Sequence, residues 1–187
     1  MSTHAKAAAK FLADRERAAW HDRALYHVRE KRDRMAHAVP EWEALRQVAS
    51  EIKLHTLSHL GRYLEEFERN ATANGMVVHW ASDAREMNRI VLDILRRHGG
   101  RTLIKSKSML SEECGLAPFL AGQGIDAVES DLGERIMQLM HRPPSHIVLP
   151  AIHVRREEVG ELFERELGTA RGDSDPTYLT HEARKHL

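Results

Sequence analysis

Two short runs decide the fold: Arg101-Thr102-Leu103-Ile104-Lys105-Ser106-Lys107-Ser108, and Gly122-Gln123-Gly124-Ile125-Asp126-Ala127-Val128-Glu129-Ser130-Asp131. Thr102-Leu103-Ile104 is short, apolar and partly β-branched, as strands are. The next segment, from about Met109 to Ala121, has helical spacing and is interrupted near Gly115 or Pro118. Gly122 and Gly124 stop it, and Ile125 to Ser130 reads as a second strand. Two strands separated by a helix are joined most simply as a parallel crossover.

The same alternation extends outward. Before it, Met76 to Trp80 is a β-type run, Asp83 and Glu86 suit a capping box, and Met87, Ile90, Val91, Ile94 and Leu95 form one apolar helical face. Arg96-Arg97-His98-Gly99-Gly100 supplies a basic last turn and a glycine stop. After it, Gly133 to His141 reads as a helix, with Ile136, Leu139 and Met140 on one side. Pro143-Pro144 leads into a strand at His146–Leu149. A further helix after His153 carries Val159, Leu162, Phe163 and Leu167, with Gly168 as its stop. Four strands alternating with helices predict an α/β domain, a parallel sheet flanked by helices on both faces.

Residues 1–74 form a separate helical extension in this reading, and 75–187 the α/β domain. Up to about Ala38 the large apolar residues are sparse (Phe11, Leu12, Trp20, Leu25, Val28), which suits a helix that lies on the surface or leans on something outside this chain. Val39-Pro40 breaks it. A stronger stripe follows from Trp42 to Phe67, and Asn74-Gly75 marks a turn. At the other end, Asp175 and Pro176 suit the cap and first position of a helix that runs only to Leu187. This predicts an incomplete domain, with an uncovered edge or apolar face through which the chain forms a homo-oligomer.

Composition narrows the function. Lys plus Arg and Asp plus Glu number 28 each, so no net field draws in nucleic acid or an anionic membrane. No apolar run approaches the roughly 20 residues of a membrane span, and Met1 to Lys10 lacks the apolar core of a secretory signal. A cytoplasmic location is expected. The single cysteine, Cys114, excludes an internal disulfide and an iron–sulfur site made of this chain's cysteines alone. His55 and His59 share a helical face but lack a third ligand, so no metal site is assigned.

Ligands of open parallel sheets bind beyond the carboxyl ends of the strands. There the sequence puts Lys105, Ser106, Lys107 and Ser108, then Asp131 and Glu134, and finally His153. Two ammoniums and two hydroxyls suit a carboxylate or phosphate, although Ser108 equally suits a helix cap. Asp131 and Glu134 suit a hydroxyl, a metal, a neighbouring lysine or the work of a general base, and equally the positive end of a helix. His153 can reach the same crevice. The sequence assigns no catalytic residue, and no Gly-x-Ser-x-Gly or Gly-x-Gly-x-x-Gly motif is present.

Several stretches together resemble the lactate-utilisation B proteins: Ile52 to Leu60, Val78-His79-Trp80-Ala81, Lys105 to Met109, Glu129 to Glu134 with Gln138-Leu139, Pro144 to Ile147, and Pro150 to His153. The resemblance implies the N-terminal part of a considerably longer protein, with a LUD domain similar to the CoA-transferase and ribose-phosphate-isomerase type of fold. It implies [4Fe–4S] clusters in a later cysteine-rich segment, and none in this fragment. It further implies electron transfer in L-lactate oxidation to pyruvate with the companion lactate-utilisation A and C proteins, the fragment alone being inactive. The alternative is a transferase-like domain that binds a small carboxylate or phosphate.

Overall fold

The computed structural model describes residues 3–186; Met1, Ser2 and Leu187, the outermost residues of the two expected regions, lie outside the described residues. The chain divides into two compact units, Met1–His79 and Trp80–Leu187.

The first unit is helical, as its sequence predicts. It contains α1 (Thr3–Ala13), α2 (Arg15–His37), α3 (Trp42–Ser58) and α4 (Leu60–Ala73). Asp14 separates the first two, its carboxylate accepting from the Arg17 N–H at 3.0 Å as helix caps do. The break near Val39-Pro40 is present between α2 and α3. A second break, at His59, was not legible. In α3 and α4 the stripe of Trp42, Leu45, Val48, Ile52, Tyr63 and Phe67 is exposed, and Ala71 is the one buried apolar residue among the described residues of this unit.

The second unit holds α5 (Ala84–Arg97), β1 (Thr102–Lys105), α6 (Met109–Glu113), α7 (Leu116–Ala121), β2 (Asp126–Glu129), α8 (Leu132–Leu139), α9 (Arg156–Leu167) and α10 (Pro176–Lys185). The two strands are parallel, with Thr102 opposite Asp126 and Lys105 opposite Glu129. Their crossover is helical and interrupted at Gly115, whose φ of +62° lies in the left-handed region that glycine adopts without a steric penalty. Asp83 accepts from the Glu86 N–H at 2.8 Å, but Glu86 reaches back to Ser82, one residue before the cap.

The expected four-stranded α/β sheet is therefore corrected. The chain is mostly helical, and its α/β character is confined to one two-stranded parallel sheet among the described residues. At His146–Leu149 the His146 Nδ1 accepts from the backbone N–H groups of both Val148 and Leu149 at 3.0 Å, local bonds that compete with a strand ladder. Ser145 N–H donates to the Pro150 carbonyl at 3.1 Å and closes the loop. At residues 76–80 the Met76 N–H is spent on the Ala71 carbonyl at the end of α4, and no strand pairs with the segment among the described residues.

Two apolar clusters organise this unit. One joins Leu92, Leu116, Leu120 and Ile125 against Leu103 and Ala127 of the sheet. The other joins Ile136 and Met137 of α8 to Val159, Leu162 and Phe163 of α9 and to Leu179 and Ala183 of α10. The return of the chain towards α10 passes so close to α9 that a Cβ on Gly160 would stand 2.6 Å from the Asp173 carbonyl oxygen. Gly160→Ala should gain about 1 kcal/mol of helix propensity yet lose about 1–3 kcal/mol through this backbone clash. A net loss of stability in urea unfolding is the expected outcome.

Candidate functional site

Parallel register puts the last residues of β1 and β2 side by side, so Lys105 and Glu129 meet directly. The Lys105 ammonium pairs with the Glu129 carboxylate and also with Glu112 of α6, at 3.0 Å. Both Lys105 and Glu129 are largely buried. Burial pulls the Lys105 ammonium downward, but hydrogen bonds to Glu129 and Glu112 outweigh it and hold its pKa above the usual lysine value. Burial raises the Glu129 carboxyl above the usual glutamate value against the pull of Lys105, and Glu112 adds to the rise. One oxygen of Glu129, Oε2, is buried without a hydrogen-bond partner among the described residues.

Lys107, two residues on, belongs to a second network. Its ammonium lies 3.2 Å from Glu134 Oε1, 3.4 Å from Asp131 Oδ1 and 3.5 Å from the Ile147 carbonyl. Asp131 also caps α8, accepting from the Glu134 N–H at 3.1 Å. Glu134 is 5% exposed, so its charge is sheltered from water and depends on this partner. The loop after α8 folds back over the same spot, and a Cβ on Gly133 would lie 2.8 Å from the Pro150 ring.

The structure thus brings together Lys107, Asp131 and Glu134, and turns Lys105 toward Glu112 and Glu129. Ser108 caps α6, its hydroxyl accepting from the Ser111 N–H at 3.3 Å. Ser106 is exposed. His153 Nδ1 lies 2.7 Å from the Ser145 hydroxyl, which is itself 3.0 Å from the Pro150 carbonyl. With the serine proton on that carbonyl, His153 Nδ1 is the donor. Sequence reading missed Glu112, within the first expected helix of the crossover, and Glu129, within the strand expected at Ile125 to Ser130; strand register brings Glu129 to Lys105, and the course of α6 brings Glu112. Each lysine is met by two carboxylates, so the local charge is negative rather than anion-seeking.

Cys114 is half-buried at the end of α6, and its carbonyl accepts from Asn88 at 2.8 Å. An iron–sulfur cluster takes several thiolates. One cysteine does not fit it, and no group of three or more His, Cys, Asp or Glu that could hold a metal ion occurs among the described residues. His55 and His59 are engaged locally: His55 Nε2 shares a hydrogen bond of 2.9 Å with the Tyr63 hydroxyl, and His59 Nδ1 donates to the His55 carbonyl at 2.8 Å. No described helix is long and apolar enough to cross a membrane.

The family model described as the LUD domain matches residues 64–187, a stretch that includes both strands and the two lysine networks. The chain belongs to the LUD-domain family. It is 41% identical over 160 residues to lactate utilization protein B of Exiguobacterium, covering 86% of this chain and 34% of that protein. It is 42% identical over 147 residues to lactate utilization protein B of Geobacillus thermodenitrificans, covering 78% of this chain and 31% of that one. An Escherichia coli relative, the uncharacterized electron transport protein YkgF, is 38% identical over 80% of this chain and 31% of its own length. The LUD-domain chain therefore spans about a third of the length of the curated relatives it matches, and its resemblance to the lactate-utilisation B proteins is borne out. No solved structure matches it.

Proposed function

We propose that this LUD-domain chain is the N-terminal scaffold of an iron–sulfur electron-transfer subunit in the oxidation of L-lactate to pyruvate. Residues 1–74 serve as a helical extension, and 75–187 as the first part of the LUD domain. The observation that carries the reading is the match to lactate utilization B proteins over most of this chain and only a third of theirs. The clusters belong to the remainder of such proteins, and the companion A and C proteins complete the cytoplasmic system.

In this reading Lys105, Lys107, Asp131 and Glu134 act by holding the ends of β1 and β2, the start of α8 and the loop carrying Ser145 and His153 in one arrangement. Mutual neutralisation of the lysines by carboxylates supports that role over capture of a carboxylate or phosphate by Ser106 and its neighbours. The exposed stripe of α3 and α4 offers another protein, or a second copy, an apolar surface of the kind that soluble chains cover by association.

The test is reconstitution. The complete gene product, mixed with its A and C companions without oxygen, should pass electrons from L-lactate to an artificial acceptor, and leaving it out should abolish the transfer. An unchanged rate in its absence would remove it from the electron path.

A further inference from the structure

A cleft of about 330 Å³ opens beyond the C-terminal end of β2, between the first turn of α8 and the last turns of α10. Its volume lies at the small end of the range for small-molecule sites. Arg135 stands on one wall and Arg184 on the other, with Leu132 and Ala183 as apolar surface between them. Arg135 is held in place: its guanidinium donates to Gln138 Oε1 at 2.7 Å, and Gln138 is itself fixed to β2 through the Glu129 N–H and the Ala127 carbonyl. Arg184 is exposed and has no ion-pair partner among the described residues. Asp131 also lines the cleft, but its carboxylate already faces Lys107 at 3.4 Å and the Glu134 N–H at 3.1 Å. The cleft is therefore cationic, unlike the two lysine networks beside it.

Its hydroxyls narrow the ligand. Ser130 Oγ donates to the Lys105 carbonyl at 3.1 Å, and Thr180 Oγ1 donates to the Pro176 carbonyl at 2.7 Å. With their single protons committed, both hydroxyls offer only acceptor lone pairs to the cleft. We propose that this cleft binds a small hydroxy acid, its carboxylate held by the guanidiniums of Arg135 and Arg184 and its hydroxyl donating to Ser130 or Thr180. Guanidinium forks match carboxylates bidentately, and the short apolar wall suits a carbon body better than inorganic phosphate. The electron-transfer reading requires no such binding, so the two stand or fall separately.

The test is calorimetric titration of the 187-residue chain with L-lactate, pyruvate and inorganic phosphate as probes. L-Lactate should saturate one site with a Kd on the order of 1 mM. Pyruvate, which keeps the carboxylate but has no hydroxyl to donate, should bind several-fold more weakly, and phosphate more weakly still. Arg184→Gln and Arg135→Gln should each weaken L-lactate about tenfold or more. Because Arg184 is exposed, its variant keeps the parent's melting temperature, which separates lost binding from lost folding. Absence of saturation by any probe, phosphate binding tighter than L-lactate, or an unchanged Kd in a folded Arg184→Gln would each overturn the proposal.

Discussion

Lys105→Met should destabilise the second unit by about 3–5 kcal/mol at neutral pH, because it leaves a buried charge without its partner. The side chains of Lys105 and Glu129 are 11% and 7% exposed, so water replaces little of what the ammonium supplies. The pH dependence carries a definite sign. Glu129 has a folded-state pKa above its unfolded one, so its contribution is full below the ordinary glutamate value and is lost as pH rises through the raised value. Lys105 is also raised, so its contribution is full below the ordinary lysine value and is lost only as pH rises through its own raised pKa, in alkali. Removing Lys105 deprives Glu129 of its counter-charge. The variant should therefore be damaged less at about pH 4, below the ordinary glutamate value, than at about pH 8. Lys105→Met with Glu129→Leu should recover most of the loss, since apolar replacement of a whole buried pair is often neutral. Urea unfolding at both pH values decides the matter. An equal loss at each, or a double variant no better than the single one, would mean that the pair is not the source of the stability.

Phe163→Ala should cost about 3–5 kcal/mol, the range for removing a large aromatic from a core. Phe163 is fully buried, at 0% exposure, in the cluster that joins α8, α9 and α10. Its loss opens a cavity that Leu162 of α9 and Leu179 and Ala183 of α10 fill only in part. The same cluster sets one wall of the cleft, because Ala183 belongs to both. A folded Phe163→Ala variant should consequently unfold at much lower urea with little change in the slope of the transition. A loss below about 1 kcal/mol would mean that α10 does not pack on α9 as described.

What the sequence made legible was local. Asp175 and Pro176 were read as cap and first helical residue, and Asp175 does accept from the Tyr178 N–H at 2.9 Å. Gly168 was read as a stop and ends α9 with φ +68°. Such signals act within one turn of chain and need no distant partner. The strands differ, because a strand exists only where another backbone lies alongside. Leu103-Ile104 and Ala127-Val128 found each other, whereas His146–Leu149 folded onto its own histidine, and 76–80 has no partner strand among the described residues.

The candidate residues divide along the same line. Lys107, Asp131 and Glu134 were named together because each stands just beyond a strand, and they do meet. The carboxylates that claim Lys105 were not foreseen, since Glu129 becomes its neighbour only through strand register and Glu112 only through the direction α6 takes. Arg135, Thr180 and Arg184 were missed for a similar reason: nothing in the order of residues tells that α10 returns to the mouth of β2.

The proposed role makes this chain the cluster-free part of an iron–sulfur subunit, and the direct measurement is iron and acid-labile sulfide. Both should be determined on the complete gene product and on the 187-residue chain, each purified without oxygen. Iron and sulfide in near-equal amounts in the complete product, with neither in the chain, is the predicted result. Their absence from both would contradict the electron-transfer role and leave the arginine-lined cleft as the place to look for chemistry.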